Sequence, residues 1–243
     1  MKSYRHELKY IINTGWHRIL RQRLKAAMKP DDHGDSGVYR ITSLYFDDVF
    51  RSAYNDKALG LDVRKKYRIR YYGLSPDFIR LEVKEKKGDM VCKRSAPISY
   101  EQYQGILKGE REFLRQPDSD AVSDAVTAAE EFCASDRLVK LSPAVLVDYV
   151  REAYVCPAGN VRITFDTQLK TSPRLDPLGE KVTFYNVFDR DAVILEVKYD
   201  RFIPAHIQAL LSGLPMTRES VSKFVLCSDK TLEVAKCNFW QAI

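Results

Sequence analysis

The sequence has few cysteines and no long apolar run, and each shortage excludes a class of protein. Its five cysteines are an odd number, are widely spaced and include no C-x-x-C pair. The sequence therefore predicts neither a disulfide framework nor a zinc site. No apolar run reaches the roughly 18 residues that a membrane-spanning helix needs, and the charged N-terminus lacks the apolar core of a signal peptide. We expect a cytoplasmic protein with reduced thiols.

Several familiar nucleotide-binding and catalytic motifs are also missing. The sequence contains no Walker A motif, no G-x-G-x-x-G loop and no nucleophile elbow, which excludes the folds that carry them. The four histidines are scattered without the spacing of metal ligands. The composition, 45% hydrophobic and 30% charged residues, is that of an ordinary globular protein. The 243 residues are enough for one large domain or two small ones.

The positive charge is concentrated in the first part of the chain. Residues 1–100 contain 22 Lys and Arg against 12 Asp and Glu, whereas residues 101–243 contain 17 against 21. Such a local excess indicates an anionic ligand, which could be nucleic acid, a nucleotide or polyphosphate, or an acidic membrane surface.

Alternation of side chains predicts a sheet-rich fold. Residues 62–73 place Arg64, Lys66, Arg68 and Arg70 on one face and apolar residues on the other, which is the period of a β-strand. We count eight or nine such strands, mostly joined as neighbours, with helices between some of them. This order favours an α+β fold with a closed or nearly closed antiparallel sheet.

The charged strand faces have two interpretations. Any single face could simply be solvated, as one side of an antiparallel sheet often is. However, consecutive cations on one face repel each other unless an anion holds them together. The cations occur on at least six strands: Arg64, Lys66, Arg68, Arg70, Lys84, Lys93, Arg94, Arg151, Arg162 and Lys198. A tunnel lined by these cations and a few carboxylates would suit a chain of phosphates with a divalent metal.

An ordered set of short segments resembles a known family. The segments are Glu7–Lys9, Ser43–Asp47, Lys66–Tyr72, Leu81–Lys84, Lys93–Arg94, Arg162–Asp166, Leu195–Tyr199 and Ser222–Phe224. They are spread over nearly the whole length of the chain and, in order, resemble the VTC domain, which is the polyphosphate polymerase branch of the triphosphate tunnel metalloenzymes.

The resemblance implies a fold, an activity and a site. It implies one domain over residues 1–243, an antiparallel eight-stranded β-tunnel with flanking helices, which binds ATP with Mn²⁺ or Mg²⁺ and adds the γ-phosphate to inorganic polyphosphate. The implied catalytic residues are Lys9, Arg68, Arg70, Lys84 and Lys198. The implied substrate-binding residues are Lys93, Arg94, Tyr149, Arg151, Arg162, Ser222 and Lys223. The implied metal ligands are Glu7 and Glu196.

One departure bears on the activity. Tunnel enzymes that hydrolyse triphosphates typically begin with Glu-x-Glu-x-Lys, whereas here Arg5 stands two residues before Glu7. A hydrolase that activates water with metal would suffer from the missing carboxylate, and a polymerase with an anionic acceptor would need it less. We therefore favour a polymerase.

The alternatives that stay open are a triphosphatase or nucleotide cyclase on the same fold and a non-catalytic polyphosphate- or nucleotide-binding module. The sequence contains no nucleic-acid-binding motif, so we expect no nucleic-acid partner. A membrane protein partner acting in trans, and the oligomeric state, stay open.

Overall fold

The computed structural model describes residues 4–73, 75–115, 123–176, 178, 182–189 and 191–241. Within these ranges the chain forms ten β-strands and six α-helices. The strands are β1 (Arg5–Asn13), β2 (Lys29–Pro30), β3 (Val38–Asp47), β4 (Val63–Tyr72), β5 (Ile79–Lys87), β6 (Met90–Ile98), β7 (Ser142–Cys156), β8 (Val161–Thr171), β9 (Tyr185–Asn186) and β10 (Ala192–Tyr199). The helices are α1 (Thr14–Ala27), α2 (Ser52–Ala58), α3 (Tyr100–Leu107), α4 (Ser123–Val139), α5 (Ala205–Leu211) and α6 (Lys223–Gln241).

Eight long strands close into an antiparallel ring. Neighbouring strands pair in the order β7, β3, β4, β5, β6, β1, β10, β8, and β8 pairs again with β7 to complete the circle. The two-residue strands β2 and β9 only extend the pairing of β7 and β8. The predicted α+β fold with an eight-stranded antiparallel tunnel is therefore confirmed.

Strand alternation separates an outer core from the interior of the ring. On β4, Tyr67, Ile69 and Tyr71 are buried on the outside, where they pack with Tyr103 of α3 and Phe132 of α4. A second outer cluster joins β1, β8 and β10 to helices α1 and α5. The intervening β4 residues face inward, since successive side chains of a strand point to opposite faces.

Among the described residues, no helix has the length and hydropathy needed to cross a membrane.

Helix α6 fills part of the ring's interior. Phe224 and Cys227 from its first turns pack against Tyr45, Val147 and Ile194 on the inner faces of β3, β7 and β10. This apolar packing fixes the start of α6 inside the ring. The space that α6 leaves free is the cavity described next.

Candidate functional site

The cavity inside the ring is large and strongly cationic. Its volume is about 930 Å³, which is ample for a ligand of nucleotide size. Sixteen Lys and Arg residues border it against five Asp and Glu, counted over the described residues. A cavity with this excess of positive charge is suited to a polyanion.

Two carboxylates face the same part of the cavity from neighbouring strands. The Lys84 Nζ lies 3.0 Å from both carboxylate oxygens of Glu7. Lys9 reaches Glu7 at 3.6 Å and Glu196 at 3.4 Å, and Lys198 reaches the same two residues at 3.3 and 3.4 Å. Because two ammonium groups bridge them, Glu7 and Glu196 converge on one space.

The first residue of α6 is held by a second carboxylate pair. The Lys223 Nζ lies 2.7 Å from Glu196 Oε1 and 2.5 Å from Asp166 Oδ2. Arg151 donates two hydrogen bonds of 2.7 Å to Asp166, and the ring of Tyr149 lies 5.0 Å from the Lys223 Nζ. These bonds hold both cations in place at the wall of the cavity.

Glu82 organises a third group of cations. It is 1% exposed and accepts hydrogen bonds from Arg68 Nε at 2.8 Å and Lys93 Nζ at 3.0 Å, while the Arg70 Nε lies 3.8 Å away. Arg68 also donates to the Tyr45 hydroxyl at 2.7 Å. One buried carboxylate thus holds three cations in a fixed arrangement before any ligand binds.

The electrostatic environment of the cavity keeps Glu7 and Glu196 ionised and lowers the pKa values of two lysines. Burial raises the pKa of Glu7 and of Glu196, but the surrounding ammonium and guanidinium groups lower each pKa well below its usual value. Burial lowers the pKa of Lys84 to about 7, against the opposing effect of Glu7. It likewise lowers the pKa of Lys93 to about 8, against Glu82. An anion near these lysines would favour their protonated forms.

One end of the cavity holds four cations that form no salt bridge within the described part of the chain, and Asp89, which borders the cavity beside them, is ion-paired with Arg218. We call this the cation-only end, and it consists of Lys57, Arg64, Lys66 and Lys86. Two of them donate to hydroxyls instead: the Lys66 Nζ to Ser222 at 2.8 Å and the Lys57 Nζ to Ser220 at 2.6 Å. Burial and the neighbouring cations lower the pKa of Lys66 well below its usual value.

The structure brings thirteen of the fourteen predicted site residues to the cavity. They are Glu7, Lys9, Arg68, Arg70, Lys84, Lys93, Tyr149, Arg151, Arg162, Glu196, Lys198, Ser222 and Lys223. Arg162 lies near one mouth of the cavity, where it donates to the Tyr39 hydroxyl at 2.7 Å.

The prediction of Arg94 as a substrate-binding residue needs correction, because Arg94 does not border the cavity. It stands opposite Val83 on the outer face of β6 and forms ion pairs with Glu131 of α4 and, at 3.4 Å, with Glu85. Lys93 and Arg94 are adjacent in a strand, so they cannot share a face. Arg94 attaches α4 to the sheet and is left out of the site.

The sequence places Arg64 and Lys66 among the cations proposed to line a tunnel, but neither is among the predicted site residues, and neither are Glu82 and Lys86. All four lie two or four positions from predicted site residues on the same strands, so alternation alone could have included them in the site. Lys57 comes from α2, and the sequence carries no signal that places this helix beside β4.

The residues present fit a divalent metal held jointly with phosphate. No group of three or more His, Cys, Asp or Glu that could hold an ion occurs in the described residues. Glu7 and Glu196 nevertheless offer carboxylate oxygens to one space, and hard divalent cations take one or two carboxylates together with phosphate oxygens. Arg5, where an acidic ligand would stand in the hydrolases, instead donates to Asp200 at 2.7 Å.

Comparisons with known proteins agree with this geometry. The family model of the VTC domain matches residues 4–231. The structure is similar to that of HpAC1, a proposed adenylyl cyclase from Hippeastrum described as having a dominant triphosphatase activity (TM-score 0.56, 14% identity, 95% of this chain and 96% of that chain). It is also similar to a proposed adenylate cyclase from Vibrio parahaemolyticus (TM-score 0.50, 12% identity, 94% and 99%). At these identities, the two comparisons show that this chain shares its fold with each of those proteins, and nothing beyond the fold. A search of curated proteins finds no match to the sequence.

Proposed function

From the premise that this chain belongs to the VTC domain family, we propose that it is a metal-dependent polyphosphate polymerase. It transfers the γ-phosphate of ATP to the end of an inorganic polyphosphate chain held inside the cavity. The family and the fold support the handling of triphosphates. The finer assignment, polymer synthesis, depends on the shape and charge of the cavity.

The observation that carries the proposal is the extent of the cationic lining. Along the inner face of β4 the cavity runs from Arg64 to Tyr72, which is about 26 Å of strand and roughly 20 Å along the axis of a ring with tilted strands. A triphosphate covers only part of this length. The cation-only end supplies positive charge beyond the carboxylate-containing centre, where further phosphates of a polymer would lie. A triphosphatase has no evident use for it.

The centre has the groups that phosphoryl transfer requires. The transition state is loose and spreads negative charge over the equatorial oxygens, so positioning and electrostatic stabilisation do most of the work. Arg68 and Arg70 suit bidentate contacts to phosphate oxygens, while Lys9 and Lys198 act as compact point charges. Glu82 and Tyr45 keep Arg68 in place, so little reorganisation is needed when the substrate enters.

The reaction needs no protein nucleophile. An oxygen of the terminal phosphate of the acceptor attacks the γ-phosphorus, the bond from that phosphorus to the β–γ bridging oxygen breaks, and the bridging oxygen leaves with ADP. The acceptor oxygen is already anionic, so no general base is required. A divalent ion, for which Glu7 and Glu196 are the proposed ligands, would neutralise phosphate charge.

A triphosphatase is the second candidate, favoured by the described activity of HpAC1. The carboxylate that this activity would use next to Glu7 is replaced by Arg5, and Arg5 is engaged with Asp200. The nucleotide cyclase and the non-catalytic binding module are tested by the same experiment as the triphosphatase.

Product analysis separates these functions. Purified protein is incubated with ATP and Mn²⁺ or Mg²⁺, and the products are resolved by gel electrophoresis and ³¹P NMR. The proposal requires polyphosphate and ADP. Free phosphate would indicate a triphosphatase, and a cyclic nucleotide with pyrophosphate would indicate a cyclase. Tight polyphosphate binding without turnover would indicate a binding module. Arg68→Gln removes a proposed catalytic charge and should stop the reaction, and Arg18→Gln, which removes one exposed positive charge on α1, is its matched control.

A further inference from the structure

Four aromatic rings surround the mouth of the cavity opposite the cation-only end. We call this the aromatic mouth, and its rings belong to His33, Tyr39, Tyr72 and Phe78, all of which border the cavity. The ring centroid of Tyr72 lies 5.8 Å from that of Tyr39, 5.5 Å from that of Phe78 and 6.4 Å from that of His33. The His33 and Tyr72 planes differ by only 19°. The rings therefore form one connected group.

Strand register places this mouth and the cation-only end at opposite ends of the cavity. At one end of the β4–β5 pair, Arg64 stands opposite Lys86. At the other end, Tyr71 stands opposite Ile79, so Tyr72 and Phe78 follow directly. Because the lining residues between them alternate along the same strands, a linear ligand that enters by the aromatic mouth leads towards the cation-only end.

The loop before β3 is built to hold His33 at this mouth. Gly34 has a φ of 69°, and a Cβ there would lie 2.4 Å from the Val38 carbonyl oxygen and 2.7 Å from the Tyr39 Cβ. Only glycine permits so close an approach in this conformation. Asp31 then anchors the ring through a 2.8 Å contact with His33 Nδ1. The position of the His33 ring is thus determined by the backbone and a carboxylate.

The rings are accessible, and cations lie beside them. Phe78 borders the entrance of a polar cavity and is 49% exposed. Packing in a hydrophobic core therefore does not explain why a phenylalanine stands at this position. The Arg80 guanidinium lies 5.5 Å from its ring centroid, and Arg162 donates to the Tyr39 hydroxyl at 2.7 Å. Flat apolar surfaces next to phosphate-binding groups match the chemistry of a nucleotide, in which a planar base is joined to a phosphate chain.

We infer that the aromatic mouth binds the base of the nucleoside triphosphate by stacking, with Arg80 and Arg162 close to the phosphates nearest the ribose. The γ-phosphate then points inward, towards Arg68 and Glu196, and the polymer occupies the cation-only end. This inference rests on the proposed function, since it assigns an orientation to the same substrate. Stacking tolerates different bases because each has a π-face, so this mouth recognises a nucleoside rather than adenine alone.

The test compares two ligands that share a phosphate chain and differ in the nucleoside. Dissociation constants of ATP and inorganic tripolyphosphate are measured by calorimetry in EDTA, which prevents metal-dependent turnover. For Phe78→Leu and Tyr72→Leu we expect ATP binding to weaken by about tenfold while tripolyphosphate binding stays within about twofold. Tyr72→Phe keeps the ring and should keep the affinity. Phe202→Leu, at an exposed phenylalanine outside the cavity, is the matched control.

The outcomes separate this inference from the proposed function. An unchanged ratio of ATP to tripolyphosphate affinity in both leucine variants, or an equal loss for both ligands, would overturn the nucleoside site even if the wild-type protein makes polyphosphate. A changed ratio would support the site even if the product of ATP turnover were free phosphate. Because Phe78 is half exposed, Phe78→Leu keeps the test decisive if Tyr72→Leu fails to fold.

Discussion

The centre of the cavity and its cation-only end contain the same types of basic residue but differ in how their charge is balanced. In the centre, the carboxylate of Glu82 accepts hydrogen bonds from Arg68 and Lys93 at 2.8 and 3.0 Å. At the cation-only end, the Lys66 Nζ donates to a serine hydroxyl instead, and the strongest charges acting on it are other cations. Neighbouring cations without a counter-charge repel one another, so the second region is the one that gains most from an external anion.

This difference separates two roles for the basic residues. The carboxylates of the centre hold their cations in position while the cavity is empty, which prepares an array for the reacting phosphates. The cation-only end has no such internal support, so its residues gain most of their stabilising interactions from the ligand. The predictions that follow test this contrast, beginning with the largest expected effect.

The largest effect is expected from removing a central carboxylate. Glu82→Gln keeps the shape but leaves Arg68, Arg70 and Lys93 without a counter-charge, so it should lower the free energy of unfolding by about 3–5 kcal/mol. Lys66→Met at the cation-only end should instead stabilise the protein, by up to about 1 kcal/mol, because it relieves repulsion between cations. Urea unfolding of both variants measures the contrast. Equal losses in the two would show that the regions do not differ in charge balance.

The inner and outer faces of β4 should respond differently to truncation. Ile69 is fully buried in the outer core, so Ile69→Ala should cost about 2–5 kcal/mol and leave the triphosphate-induced shift in melting temperature intact. Arg70 has a buried Nε without a hydrogen-bond partner among the described residues, so Arg70→Ala should change stability by no more than about 1 kcal/mol and lose most of that shift. Thermal melts with and without tripolyphosphate test the pair, and the reverse pattern would refute the assignment of the faces.

A smaller effect is expected from neutralising the proposed metal ligand. Glu196→Gln should reduce metal-dependent turnover by at least about tenfold, since one of two carboxylates is lost. Polyphosphate affinity in EDTA should change much less, because Lys9, Lys198 and Lys223 are still present. Turnover is measured across a range of metal concentrations. Wild-type activity at limiting metal would rule out this role for Glu196.

The smallest effect concerns protons. Lys84 has a pKa of about 7 in the empty cavity because burial outweighs the attraction of Glu7, so at pH 8 most of it is neutral. A bound phosphate chain raises that pKa, and binding at pH 8 should therefore take up protons, whereas binding at pH 6 should take up fewer. Calorimetry in buffers of different ionisation enthalpy measures the uptake. Lys84→Met should reduce it, and an uptake identical to that of the wild type would exclude Lys84 as its source.

The fold and most of the lining could be predicted from the sequence because strand alternation is a local property. The inward positions of Arg64 to Arg70 follow from a period of two, and the same rule, applied consistently, would have excluded Arg94. What alternation could not supply is the set of partners across the ring. Glu7 meets Lys198 because β1 pairs with β10, and it meets Lys84 because β1 pairs with β6, the neighbour of β5.

The position of Lys57 was equally out of reach. It depends on α2, whose start is held by Asp47, a buried carboxylate that accepts hydrogen bonds from the backbone N–H groups of Ala53 and Tyr54 at 2.9 and 3.1 Å. These bonds place the helix, and with it the lysine, beside β4. Tertiary anchoring of this kind leaves no periodic signal in the sequence, and the same holds for Ser222 and Lys223 at the start of α6.

The central claim, that one phosphate chain occupies both the centre and the cation-only end, is tested most directly by the length dependence of binding. Dissociation constants are measured in EDTA for inorganic polyphosphates from tripolyphosphate upwards. Affinity should continue to increase beyond three phosphates and then level off, and in Arg64→Gln/Lys86→Gln it should level off earlier, with tripolyphosphate binding little changed. An affinity that is already maximal for tripolyphosphate in the wild-type protein would contradict the account.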